Sequence, residues 1–377
     1  MAIDIDKSES GFENFSLKRN PTSPRTLFGL IMSSIAGFFT LLAIIPLFII
    51  LSYLLTKGIS SLSPAVFTEL PPPPMVEGGG FGNAIIGTVI MVGIGALISV
   101  PIGVISAIYL SEINQYNTFD LILFITISST IAFSVIFCSL NLIPNILFLS
   151  LGIILNLPSI VNTLLNISAS IILNSSLGLI AFISLPKLDK SKISVIKEWI
   201  RFATNVLSGV PSIIVGVFAY SAIVLTTKTY SAWAGGFALS ILMLPIIVRT
   251  TDEALKLVPQ EVRQASVGIG ANQYQTVLQV VLPAALPAII TGVTLSIARA
   301  AGETAPLLFT ALFTQYWPNW NNGLAEPTAS LAVLVYNFAI VPFKNQQDLA
   351  WGAAFILVLL VLVTSIISRV ATAKRTY

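Results

Sequence analysis

Long apolar stretches alternate with short polar segments along the whole chain. A helix needs about 20 predominantly apolar residues to cross the hydrocarbon core of a bilayer. Stretches of that length predict membrane-spanning helices at roughly 27–55, 83–110, 119–140, 163–185, 203–226, 231–249, 285–312 and 349–370. We therefore expect an all-α protein that crosses the membrane several times.

Composition and the placement of charge strengthen this prediction. Hydrophobic residues make up 55% of the 377 residues and charged residues only 9%, whereas soluble domains carry about 25% charged residues. Of the 19 Lys and Arg residues, all but Lys57, Lys228, Arg299 and Lys344 fall in the N-terminal tail (1–26) and in 187–201, 249–263 and 369–375. Because cytoplasmic loops carry an excess of Lys and Arg, these segments and both termini are predicted on the cytoplasmic side of the cell (inner) membrane.

The predicted spans form a core that is interrupted by an insert. The first two core helices occupy 27–116 and are joined by an outer loop rich in Pro and Gly. The insert, 117–186, contains no Lys, Arg, Asp or Glu after position 120. Because it begins and ends at cytoplasmic segments, it must cross an even number of times, and we expect two crossings. The piece between them, 141–162, is then placed at the outer face.

A basic cytoplasmic linker, 187–201, follows the insert and is expected to contain an interfacial helix with Trp199 at headgroup level. Core helices three to six then occupy 202–377. In the first of them, Gly209, Pro211 and Gly216 predict a bend and close helix packing.

Several kinds of chemistry are excluded by what the sequence lacks. There is no His and only one Cys, so neither a metal site nor a disulfide framework can be built. There is no GxxxxGK[ST] phosphate-binding loop, and the cytoplasmic segments are too short for a nucleotide-binding domain. An intramembrane enzyme is therefore disfavoured, and we expect no cofactor in this chain. A transport subunit and a sensory scaffold both remain open.

Residues 250–286, here called the bracket, are too polar to cross the bilayer and too regular for a plain loop. Pro259 and Glu261 predict the start of a short helix, because both residue types are favoured in a first turn. Val262, Ala265 and Ile269 share one face of that helix, and Gly270 then interrupts it.

The second arm of the bracket is predicted to begin at Asn272, which forms a capping pair with Gln275. An apolar stripe then lies opposite Gln273, Thr276 and Gln279; it consists of Tyr274, Val277, Leu278, Val281 and Leu282. Pro283 is expected to end this helix before the membrane. One face of the bracket can pack on the membrane helices while the turn projects into a groove of another protein. An interfacial helix pair without a partner is the alternative.

Arg299 and Glu303 lie four residues apart within an apolar stretch, and therefore on one helical face. Ionisable residues inside a membrane helix are costly and mark a transport path by default. The alternative is that the two side chains only neutralise each other. An arginine suits an oxyanion such as phosphate, because its donors form a rigid fork. Arg249, at the cytoplasmic end of its span, is a second station on the path or a positive-inside anchor.

The bracket resembles the EAA loop of ABC importer permeases, which in that family docks in a cleft of a cytoplasmic ATPase. The pattern runs Gln264-Ala265-Ser266, Gly270, Val280 and Leu282-Pro283, with Gln264 and Ser266 replacing the usual Glu and Ala. The resemblance implies ATPase coupling at Glu261, Gln264, Ala265, Ser266, Gly270, Ala271, Leu282 and Pro283. The substitution of Gln264 places in question a charged contact that the Glu normally makes.

Further motifs resemble the A-type permease subunit of the phosphate-specific ABC importer. They are FTELPPPPMVEGGG, VLSGVPSIIVGVFAY, SAWAGGFAL, LPIIVRTTDEALKLVPQEVRQA, IARAAGETAPLLFTAL and VPFKNQQDLAWGAA. The resemblance covers nearly everything except the N-terminal tail and about 117–197. It implies a type I importer permease core of six transmembrane helices, to which the insert adds about two.

The same resemblance implies partners and a transported anion. The partners are a second, homologous permease, two copies of a cytoplasmic ATPase that bind ATP and Mg, and an external phosphate-binding protein. Arg249 and Arg299 match family positions thought to matter for phosphate passage. A permease for another oxyanion, such as sulfate or molybdate, is the alternative, and so is a phosphate-sensing role within the same complex.

Overall fold

The computed structural model describes residues 24–112, 190–320 and 324–373. All regular structure in these ranges is helical. The predicted spans 119–140 and 163–185 lie outside them, as does the piece between these spans.

The described helices follow one another with short connections. α1 is Pro24–Ser60, α2 Ala65–Thr68, α3 Gly82–Glu112, α4 Lys190–Gly209, α5 Ser212–Ala219, α6 Leu225–Thr227, α7 Ala232–Lys256, α8 Gln260–Gly268, α9 Gln273–Gln275, α10 Leu282–Ala301, α11 Ala305–Thr310, α12 Leu331–Ala339 and α13 Lys344–Ala373. Two π-helical segments join neighbouring helices without a break: Tyr220–Val224 between α5 and α6, and Thr276–Val281 between α9 and α10.

Five described helices are long and apolar enough to cross a bilayer: Thr26–Ser60, Gly82–Glu112, Ala232–Lys256, Gln273–Ala301 and Lys344–Val370. Among the described residues, a bent pair, Lys197–Gly209 and Ser212–Thr227, would count as a sixth crossing if it is one span, and its two helices are bent by 105°. The predicted span 203–226 is therefore not one straight helix. The bend falls at Pro211, which caps α5 in an extended conformation, because a proline cannot donate the backbone bond that would continue α4.

The predicted span 285–312 also differs from the structure. The helix begins much earlier, at Gln273, and ends at Ala301. Gly302 to Thr304 interrupt it before the short helix α11. The charged pair predicted within one continuous helix therefore lies at a helix end.

The chain divides into two compact units, Met1–Thr56 and Lys57–Tyr377. In the first unit the structure describes residues 24–56, which belong to α1. This helix exposes large apolar side chains along its length, among them Phe28, Phe39 and Phe48. A helix that is apolar all round and exposed to this degree suits a lipid environment.

The second unit is built around α3, α7 and α10, which pack closely at glycines. A Cβ on Gly236 of α7 would lie 2.5 Å from a side-chain carbon of Ile94, and a Cβ on Gly292 of α10 would lie 2.2 Å from Oγ1 of Thr250. Both distances are far inside van der Waals contact. Small residues thus let the helix backbones approach each other, as is common between membrane helices.

The predicted Pro-rich loop, which precedes the first residue of α3, Gly82, packs against α13. Gln346, which is buried, donates a hydrogen bond to the carbonyl of Pro72 (3.3 Å), and Asn345 donates to the carbonyl of Val76. Gly78 and Gly79 adopt positive φ angles of 88° and 78°, which L-residues with a Cβ rarely reach. The loop is therefore a packed part of the structure.

Candidate functional site: the bracket and the Arg299–Glu303 pair

The first residues of the bracket, 250–256, continue α7, and its first arm is α8, which starts directly after Pro259 and carries Glu261 in its first turn. Glu261 suits this position because a helix N-terminus favours negative charge. The helix ends at Gly268, and Gly270 follows with a φ of 89°. This left-handed conformation is the reason that a glycine stands at the turn. The predicted first arm and its interruption at Gly270 are both present.

The second arm starts with the predicted capping box. The side chain of Asn272 accepts from the Gln275 backbone N–H, and the Gln275 side chain accepts from the Asn272 N–H, each at 2.9 Å. The prediction that Pro283 ends this helix is wrong, since the helix continues through Leu282 and Pro283 into α10. The π-helical turn directly before Pro283 offers a physical reason, because i→i+5 bonding changes which carbonyls the helix uses.

The predicted shared face of Val262, Ala265 and Ile269 is present in the first arm, and it points away from the rest of the protein. Val262, Ala265 and Ile269 are all exposed, and Ile269 is 88% exposed. Arg263 and Ser266 turn towards the rest of the protein. Of the other residues that resemble the EAA loop, Gln264 is exposed, and so are Gly270 and Pro283. The first arm thus presents an apolar stripe outwards, on a segment that is otherwise polar.

The two arms are joined by a buried contact that the sequence did not predict. The hydroxyls of Ser266 and Thr276 lie 3.0 Å apart, and both side chains are buried. Thr276 was predicted on the polar face, but it lies inside with Val277 and Val281, whereas Leu278 is 55% exposed. A π-helix has more residues per turn than an α-helix, so an α-helical projection misplaces these faces.

An ion pair fastens the bracket to the end of α3. Arg263 binds the Glu112 carboxylate, and only 17% and 6% of these side chains are exposed. The Arg263 guanidinium also donates to the carbonyl of Leu255 (2.7 Å), and the Gln273 amide donates to the carbonyl of Glu112 (2.9 Å). Both arms therefore meet the same helix end. The sequence signal was two opposite charges on the same predicted side of the membrane, 151 residues apart.

Arg299 and Glu303 form an ion pair at the end of α10, with 3.6 Å between Nε and Oε1. The Arg299 side chain is 62% exposed and that of Glu303 17%. At this distance the contact is electrostatic and no hydrogen bond is made. Arg299 makes no hydrogen bond to any residue that the structure describes, so its fork of donors is available to an anion. Glu303 reduces the local positive charge.

Arg249 does not join this pair. Its Nε lies 3.1 Å from Oε1 of Glu253, one turn further along α7, and both side chains are mostly exposed. Thr250 packs on Gly292, and Arg299 is seven residues beyond Gly292 in α10. At 1.5 Å per residue, Arg299 is therefore about 10 Å further along the bundle than Arg249. The two arginines occupy different depths.

Several proteins of known function are similar in sequence to this chain over most of its length. A family model described as "Binding-protein-dependent transport system inner membrane component" matches residues 190–375. The "Phosphate transport system permease protein PstA" of Haemophilus influenzae is 34% identical over 320 residues, which cover 85% of this chain and 85% of that protein. This chain belongs to the PstA permease family. The PstA of Pasteurella multocida is 33% identical and covers 85% of this chain and 86% of its own length.

Membership of the PstA family makes this chain a multi-pass membrane permease, a transport component and not an enzyme. Its all-α fold, with five described helices suited to span a bilayer, is that of an ABC importer permease. A chain of the MetNI methionine ABC transporter, solved in an inward-facing conformation, covers 70% of this chain with 18% identity and a TM-score of 0.38.

Proposed function

We propose that this chain is the permease subunit through which an ATP-driven ABC importer moves inorganic phosphate into the cell. The observation that carries the proposal is Arg299, an exposed guanidinium at the end of a membrane helix, with its hydrogen-bond donors uncommitted. A planar fork of N–H donors matches the geometry of phosphate. The phosphate transport named for the PstA relatives points to the same anion.

The Arg299–Glu303 pair explains how an anion can be attracted and then released. A guanidinium alone in a membrane would hold phosphate tightly, whereas the Glu303 carboxylate competes for it. Arg249 offers a second cation about 10 Å from the level of Arg299 along the bundle. Its charge is also partly neutralised by a carboxylate, that of Glu253. We propose both arginines as stations on the phosphate path.

The bracket is proposed to receive the mechanical work of a separate ATPase. Its exposed stripe of Val262, Ala265 and Ile269 is an apolar surface on a polar segment, which suits a protein partner. The buried pair of Arg263 and Glu112 then transmits any movement of the bracket to α3. Continuity of α9 with α10 carries the same movement to Arg299.

The remaining partners and the orientation follow from this function. The chain would pair with a homologous second permease, two copies of the ATPase that bind ATP and Mg, and an external phosphate-binding protein. The Lys- and Arg-rich end, which holds the bracket, would face the cytoplasm together with both termini. This chain would need no cofactor of its own.

Uptake of radiolabelled phosphate by cells carrying Arg299→Ala tests the proposal. We expect uptake to fall at least tenfold while the amount of assembled complex is unchanged, because a charge-assisted hydrogen bond contributes about 1.5–3 kcal/mol. Lys228→Ala, at an exposed lysine in a connection between helices, is the matched control and should transport normally. Normal uptake by Arg299→Ala would remove this residue from the path. Competition by sulfate and molybdate distinguishes phosphate from the other oxyanions.

A further inference from the structure

The join between the second arm of the bracket and α10 is the π-helical turn Thr276–Val281. The backbone N–H of Leu282 donates to the carbonyl of Val277, five residues earlier, whereas an α-helix would use the carbonyl four residues earlier. A turn closed in this way holds one residue more than an α-helical turn. Pro283 follows at once, and in an α-helix its ring would collide with the carbonyl of Gln279. The proline therefore favours the wider turn.

The apolar stripe of this segment does not match the face that the structure buries. At α-helical spacing, Leu278 belongs to the apolar face with Val277 and Val281. Thr276 belongs to the opposite, polar face. In the structure, Thr276 is 6% exposed and its hydroxyl lies 3.0 Å from that of Ser266, whereas Leu278 is 55% exposed. A leucine is thus left outside while a hydroxyl is held inside, so the sequence of this segment also fits an α-helical register.

Loss of the extra residue would exchange these two positions. Val281 is fully buried against the end of α7 and serves as the fixed point. Closing the turn with i→i+4 bonds rotates the residues before Val281 by about 100° relative to α10. Leu278 then takes the inward place of Val277, and Thr276 turns outwards. The hydroxyl contact is exchanged for burial of a leucine, so each register has a stabilising contact that the other lacks.

We propose, building on the function proposed above, that this π-helical turn is a register switch between the bracket and α10. The turn is π-helical in the described structure and becomes α-helical when the ATPase closes on the bracket. The second arm thereby rotates by about 100° relative to the helix that carries Arg299. Helix register shifts of this kind take place on the order of microseconds to milliseconds. Movement of the bracket then reaches the phosphate path in two discrete positions.

Cysteine labelling of the assembled complex in lipid nanodiscs tests the switch. Thr276→Cys and Leu278→Cys are placed singly in a Cys138→Ser background. A water-soluble maleimide measures their access without nucleotide and with ATP and vanadate, which traps the closed ATPase. We expect trapping to raise the labelling rate at position 276 at least threefold and to lower that at position 278 at least threefold. Lys228→Cys, exposed in the connection between α6 and α7, should label equally in both states.

A second pair of variants reads the register without transport. Pro283→Ala removes the collision that favours the π-helical turn. Position 278 should then be protected, and position 276 labelled, even without nucleotide. Pro287→Ala, four residues further along in the α-helical part of α10, is the matched control and should label like the parent protein. An ATPase docked over the turn would shield position 278 but would not uncover position 276.

Phosphate uptake, measured with the same complex in vesicles, separates this inference from the proposed function. If uptake is normal and trapping does not change the labelling of positions 276 and 278 in opposite directions, the inference is overturned and the proposed function stands. If no phosphate is taken up, the proposed function fails. In that case unchanged labelling in Pro283→Ala overturns the register switch as well, whereas the expected labelling supports it.

Discussion

Removing the Arg263 side chain is predicted to release the bracket from α3. In Arg263→Met the Glu112 carboxylate, of which 6% is exposed, loses its counter-charge. The carbonyl of Leu255, a fully buried residue, loses the 2.7 Å hydrogen bond from the guanidinium. The longer contact from Arg263 to the carbonyl of Val258 is lost as well. Breaking a buried pair by removing one partner costs about 3–5 kcal/mol.

This cost should appear as easier local opening of the bracket. At about 1.4 kcal/mol per tenfold change, the loss of 3 kcal/mol speeds amide exchange on the order of 100-fold. Hydrogen–deuterium exchange followed by mass spectrometry in nanodiscs measures this change in peptides that cover 260–276. Peptides from α12, which does not touch the pair, serve as the internal reference.

A double variant separates the charge pair from simple loss of packing. Glu112→Gln combined with Arg263→Met removes both charges, so no uncompensated carboxylate remains. We expect the double variant to exchange more slowly than Arg263→Met alone, with a coupling of at least 1 kcal/mol between the two positions. If exchange at 260–276 changes less than threefold in Arg263→Met, the pair does not hold the bracket.

Three further changes test the packing of the bracket and of the helix core. Ser266→Ala removes the hydroxyl contact between the two arms. Amide exchange at the start of the second arm should then rise about fivefold, the equivalent of about 1 kcal/mol. An unchanged exchange rate would show that this contact does not stabilise the bracket. Gly270→Ala, at a φ of 89°, should destabilise the bracket by about 1–2 kcal/mol, whereas Gly268→Ala, helical and open, should be neutral or stabilising in the same exchange assay. Gly292→Ala should reduce phosphate uptake and the thermal stability of the complex, because the added Cβ would overlap Thr250 of α7. Gly93→Ala, whose Cβ would meet open space, is the control. If the two variants have the same uptake and thermal stability, the close packing at Gly292 is refuted.

Features that depend on neighbouring residues were predictable from the sequence. The capping box of Asn272 and Gln275 and the turn at Gly270 need only local chemistry, and both are present. The ion pair of Arg299 and Glu303 followed from their spacing of four, although Glu303 lies beyond the helix end. The long apolar helices at Thr26–Ser60, Gly82–Glu112, Ala232–Lys256 and Lys344–Val370 were predictable too, since length and hydropathy decide them.

Features that depend on distant residues or on unusual backbone were not predictable. Arg263 and Glu112 are 151 positions apart, and no local pattern connects them. The inward position of Thr276 follows from a π-helical segment that a 3.6-residue period cannot represent. A bend at Pro211 was predicted, because proline interrupts a helix. Its angle of 105° was not predicted, because the angle depends on the helices packed around it.

The bracket is proposed to dock on a separate nucleotide-binding protein. A single cysteine in place of Ile269, which is 88% exposed at the turn, tests it directly in a Cys138→Ser background. We expect a short bifunctional crosslinker to join this position to a co-purifying ATPase, and a cysteine in place of Lys228 to form no such link. An intact, transport-competent complex in which position 269 links to no ATPase would contradict it.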